Sequence, residues 1–221
     1  MNKIILILYF LTIHCLLLSQ NEYGHQWLFE NFNTIDFRTN SAITGQIQPY
    51  PRYNSGASFS SNMCDKSGSL IMQTGGCLIV NKNFILMKGG ESINSRSTAL
   101  LGWCKPNDQY GYFPFQQNNI FLNYPNDTTK YLLLNIDFDT LFPLESNIIL
   151  LPPHLFYHVI DMTKENGDGE VVEKFKIAIQ DTLSRGYLTA VKHSNKRDWW
   201  VVIPKFKSNC FFIVPSAENA T

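Results

Sequence analysis

Apolar residues along this chain fall in short runs, and each run is closed by Gly, Asn, Asp or Pro. Phe59 opens one that reaches Cys64, and the turn Asp65-Lys66-Ser67-Gly68 follows it. Asp bonds its own downstream backbone and Gly supplies a positive φ, so this turn has a mechanism. Leu70 to Thr74, Cys77 to Val80 and Phe84 to Met87 come next, separated by Gly75-Gly76 and Asn81-Lys82-Asn83. Further on, strands are predicted over Tyr131 to Phe138, Ile148 to Leu151, Tyr157 to Met162, Leu188 to Lys192, Trp199 to Ile203 and Phe211 to Val214. Phe175, Ile177 and Ile179 alternate with polar residues, a period of two that predicts one wet and one dry face.

No window carries a helical stripe. About fifteen strands with little helix predict an all-β fold. A sandwich, a barrel or a propeller fits that count. Strand-turn-strand units recur at roughly 40 to 50 residues, the length of a propeller blade. The stretch from Pro106 to Pro125 reads as the longest loop.

The N-terminus changes the picture. Met1-Asn2-Lys3 precedes an apolar run from Ile4 to Leu18, then Ser19-Gln20. One positive charge, a short apolar run and a small residue make residues 1–19 a signal peptide, with Gln20 first in the mature chain. The run is shorter than the roughly 20 residues a membrane span needs. His14 stands where a lipobox requires a small residue, so Cys15 is not read as a lipid site. The mature protein is expected to be secreted or at the cell surface, with residues 20–221 as one domain.

An oxidising destination makes Cys64, Cys77, Cys104 and Cys210 candidate disulfide cysteines. Spacing does not choose among the pairings, and buried thiols are the alternative. Lys plus Arg total 18 and so do Asp plus Glu, which gives no electrostatic reason to expect nucleic acid.

Patterns for catalysis fail. Gly56-Ala57-Ser58-Phe59-Ser60 lacks the closing Gly of a nucleophile elbow. The acidic stretch from Asp161 has Thr163 and Val172 where a calcium loop needs acidic or amide ligands. Asp137 and Asp139 share a strand face and read as a wet sheet surface. His154 and His158 share a face too, but a metal site would need a third ligand. No cofactor or metal is expected. His193 and Asp198 flank a tight turn before Trp199-Trp200 and read as a structural polar pair. Trp27, Trp103, Trp199 and Trp200 either fill the space between sheets or stack on sugars or peptides. Asn126 and Asn219 head glycosylation sequons.

Several short segments, in order, resemble the N-terminal part of the secreted β-propeller proteins of Bacteroidetes, the WD40-like or YVTN-like kind carried by the type IX secretion system. They are Trp27-Leu28-Phe29 with Ile35-Asp36-Phe37, and Asp65 to Ile71 with Thr74 and Gly76. Asn81-Lys82-Asn83 with Met87 to Gly90, and Tyr157 to Met162 with Asn166 to Val171, follow. Leu188 to His193 with Asp198 to Val202 close the series. The resemblance implies a partial or small propeller of four-stranded antiparallel blades, an arc short of a full ring.

Open blade edges would then favour self-association. The function implied is a non-catalytic module that binds an extracellular glycan or protein. Two other readings stand beside it. One is a polysaccharide-active enzyme using Asp161, His193 and Asp198 in one cleft. The other is a remnant without independent activity.

Overall fold

The computed structural model describes residues 25–28, 33–39, 41–46, 61–94, 104, 117–137, 140–144 and 147–215. Residues 1–19, Trp103, Asp139 and Asn219 lie outside the described residues.

The described chain is all-β. Its strands form five small antiparallel sheets, none of them closed. The first sheet is β1 (Gln26–Leu28), β2 (Asn33–Asp36) and β3 (Ile43–Gln46), paired in chain order. Trp27 lies opposite Ile35, the strand pair expected there. The second is β4 (Ser61–Cys64), β5 (Leu70–Thr74) and β6 (Ile79–Asn81), also in chain order.

The largest sheet holds β7 (Asn119–Asn123), β8 (Lys130–Asp137), β11 (His154–Asp161) and β12 (Glu170–Gln180), ordered β12-β11-β8-β7. Between β8 and β11 the chain makes a separate hairpin, β9 (Thr140–Leu144) with β10 (Asn147–Leu151). The last sheet is β13 (Thr189–Lys192), β14 (Trp199–Pro204) and β15 (Phe211–Pro215). Among these sheets one has four strands and the rest three or two, so uniform four-stranded blades are not what the described residues show.

The sheets pack face to face, and β8 shows how. Side chains alternate across a strand. Leu132, Leu134 and Ile136 point to one side, where they pack with Leu183, Leu188, Val201 and Ile203 of the β13–β15 region. Tyr131 and Leu133 point to the other side and pack with Met63, Met72, Ile79 and Met87 of the β4–β6 region. A third cluster of Leu28, Val80 and Phe84 joins the first sheet to the second. Among the described residues the first sheet thus shares a core with the second, the second with the four-stranded sheet, and the four-stranded sheet with the last. Burying one such side chain contributes about 1.5–3 kcal/mol, so β8 is held strongly from both faces.

The hairpins share a local device. Asp65 Oδ1 accepts from the Ser67 N–H at 2.8 Å and the Ser67 hydroxyl at 2.6 Å. Asp127 does the same with Thr129, and Asp161 with Thr163. These turns follow β4, β7 and β11 in turn. Gly68 completes the first of them at φ +78°, as the sequence predicted.

Several expectations are corrected. Phe84–Met87 is not a strand. Asn81 Oδ1 accepts from the Asn83 and Ile85 N–H groups, and Phe84 takes a φ of 58°. The backbone is therefore wound around Asn81 and makes only the isolated bridge Val80–Leu86. The loop expected over Pro106 to Pro125 contains β7. Ile177 is 51% exposed although Ile179 is buried. A register shift pairs Leu155 with Ile179 but Phe156 with Ile177. The extra residue, Ala178, turns the two isoleucines to opposite faces. Asp137 is not on a wet face but is fully buried, because β8 has a packed sheet on either side.

Candidate functional site

The end of the β13–β14 hairpin gathers the polar pair and two of the tryptophans singled out in the sequence. Val191 pairs with Trp200, and Lys192 with Trp199. The His193 N–H donates to the Asp198 carbonyl at 2.9 Å and closes the turn.

Asn195 organises what lies between. Its Oδ1 accepts from the N–H groups of Arg197 and Asp198, each at 3.0 Å. Its side-chain amide donates to Asp198 Oδ2 at 2.7 Å. Asn favours such turns because its short side chain bonds the backbone two residues on. Lys196 takes the positive φ that the turn requires, at 60°.

Asp198 is held by Arg197 through two parallel bonds of 2.9 Å each. Those bonds, then the Asn195 amide, hold its carboxyl below the ordinary range. The expected pairing of His193 with Asp198 is thus indirect. It runs through a backbone bond and through Asn195, and the two side chains do not bond each other.

His193 is oriented as well. Its Nδ1 accepts from the Asn195 N–H at 3.1 Å. The ring proton of the neutral imidazole therefore sits on Nε2. The ring lies 5.0 Å from the Trp200 ring, tilted by 52°. Trp200 is 39% exposed and Val191, across the ladder, is exposed.

Trp199 points the other way and anchors the hairpin. Its indole N–H donates to the Asn123 carbonyl on β7 at 3.1 Å. Lys192 Nζ sits 4.1 Å from the Trp199 ring centroid and donates to the Arg197 carbonyl at 3.1 Å. Burial pushes the Lys192 amine down, while the Asp198 charge opposes that. The result is a rigid end with one open indole face and one directed N–H donor beside it.

The other sequence candidates lie elsewhere. Cys77 and Cys104 form a disulfide. Cys64 is a buried free thiol, pushed up by burial, and Cys210 is free and exposed. Asp161 is engaged by Thr163 in its own turn, and no bond joins it to His193 or Asp198. Trp27, 51% exposed, makes an edge contact with Phe37 at 5.2 Å on the first sheet.

His154 and His158 share a face of β11 as expected, but among the described residues no group of His, Cys, Asp or Glu is placed to hold a metal. No described helix is long and apolar enough to cross a membrane. Asn195 was missed in the sequence. The signal for it was an Asn two residues before Arg197, between residues that pair across a ladder.

Set against known proteins, the chain matches no family model, no curated protein and no solved structure.

Proposed function

We propose that this chain is an exported binding module, non-catalytic, whose sheets stack as an arc of propeller-like blades and whose hairpin end takes an extracellular carbohydrate. The export step rests on the charge, apolar run and small residue of positions 1–19. The propeller reading rests on consecutive antiparallel meanders that pack face to face in chain order.

The ligand reading rests on one observation: the open Trp200 ring beside a His193 ring whose Nε2–H is set by Asn195. A sugar offers a C–H face for an aromatic ring and hydroxyls for a donor, and a rigid hairpin keeps both without an ordering cost on binding. The carboxylate of Asp198 is spent on Arg197 and Asn195, which suits a structural part better than proton transfer.

An oligosaccharide array followed by titration of the strongest binder tests this. Trp200→Ala is expected to weaken that binder about tenfold or more while the circular dichroism spectrum stays the same. An empty array alongside capture of a purified cell-surface protein would replace the carbohydrate with a protein partner. Equal affinity in Trp200→Ala would move the site off this hairpin.

A further inference from the structure

We propose that the seam between the β4–β6 sheet and the four-stranded sheet is an acid-sensitive latch, with His158 as its trigger. His158 is fully buried on the face of β11 that looks toward the second sheet, between Phe156 and Ile160. Its Nε2 lies 2.7 Å from Asn135 Oδ1 on β8. Asn135 is itself committed: its amide donates to the Ile93 carbonyl at 3.1 Å and to Asn94 Oδ1 at 3.0 Å. Asn94 in turn donates its amide to the Gly76 carbonyl.

The direction of this chain is therefore fixed from its far end. Asn94 must present its oxygen to Asn135, Asn135 must present its oxygen to His158, and His158 must donate from Nε2. Nδ1 is left as the basic atom, and it has no hydrogen-bond partner. A proton arriving there creates a buried cation whose new N–H finds no acceptor, which is costly.

The chain also ties elements together. Asn135 belongs to the four-stranded sheet, whereas Ile93, Asn94 and Gly76 flank the second sheet and its disulfide at Cys77. The Ile93 N–H donates to the Cys77 carbonyl at 3.2 Å. The His158–Asn135 bond orients the amide that ties Ile93 and Asn94 to the four-stranded sheet, beside the Lys174 bond to the Glu91 carbonyl, so opening this seam to expose a protonated His158 loosens residues 91–94.

The groups around His158 set the threshold. Burial, then the charge of Lys174 on β12, lowers its pKa from 6.5 to about 4. Lys174 is ion-paired with Glu91 at 3.3 Å, which puts an acid on the 91–94 segment. Asp137 on β8 and His154 on β11 share the face one ladder step beyond Asn135. The second sheet contributes apolar Met72 and Ile79. The opened state binds a proton near pH 6.5 and the closed state does not. The closed state is thus fully favoured above pH 6.5 and loses ground as pH falls from 6.5 toward 4. At pH 5 the opening constant rises about 30-fold over its value at pH 7.5.

Hydrogen exchange of the Ile93 amide, corrected for its intrinsic pH dependence, tests this in the full chain and in His158→Gln. The Gln amide keeps the donor to Asn135 but does not titrate. Wild type is expected to open about 30-fold more at pH 5 than at pH 7.5, and the variant is expected to stay flat. The Val201 amide, in the last sheet, is expected to change less than Ile93. Equal pH responses in both proteins, or an equal rise at Val201, would overturn the latch. If the variant fails to fold, the His158 ring resonances of wild type decide. No titration above pH 5 supports the proposal, and a midpoint near 6.5 in the folded protein overturns it.

Discussion

Leu133 and Leu134 are neighbours in β8 yet belong to different cores. Leu133 is fully buried against the second sheet, and Leu134 is buried against the last. In a sheet covered on one side only, one of two adjacent residues would face water. Truncating each to Ala is therefore diagnostic. Leu→Ala removes about three carbons, worth about 2.4 kcal/mol in transfer, and the cavity left behind raises the cost to about 3–5 kcal/mol. Both single variants are expected to lose that much, measured by urea unfolding followed by tryptophan fluorescence. The two side chains have no shared partners, so the double variant should lose the sum within about 0.5 kcal/mol. A cost below about 0.5 kcal/mol for either one would refute the packing of β8 between two sheets.

Asp127→Ala should cost about 1 kcal/mol, because it removes the acceptor for both the Thr129 N–H and its hydroxyl. Those bonds pull the Asp127 carboxyl from 3.8 down to about 2. Its contribution is present above pH 3.8 and is lost as pH falls from there toward 2, so wild type and Asp127→Ala should converge in melting temperature across that window. Cys77→Ser should cost about 3–4 kcal/mol, since the disulfide closes a separation of 27 residues in the unfolded chain. Thiol labelling of the native protein should modify Cys210 and spare buried Cys64.

Much of the strand pattern was legible in the sequence, and the reasons are local. Leu70–Thr74 was read residue for residue because a side-chain-bonded Asp turn sits before it and Gly75-Gly76 after it. Tyr131 to Phe138 was found because an apolar run of that length between turn residues has few alternatives. Phe84–Met87 failed because an apolar run of four is equally compatible with backbone wound around an Asn side chain. The exposure of Ile177 was hidden because the sequence gives no mark for a bulge at Ala178. Asp137 was misplaced because alternation tells which residues share a face, not whether a second sheet covers that face.

The hairpin end followed the same division. His193, Asp198 and Trp200 were visible as candidates because they flank one turn. The tautomer of His193 was not visible, since it depends on an Asn195 N–H that only the folded turn aims at Nδ1. The chain from His158 to Asn94 spans residues far apart in sequence, so no spacing rule could have joined them.

β8 stands between two other sheets, in a stack of small ones. Methyl nuclear Overhauser contacts in the folded protein address it directly. Leu133 methyls should contact Met72 and Ile79, while Leu134 methyls should contact Val201 or Leu183. Contacts from both leucines to one and the same sheet, or none from one of them, would contradict the stack.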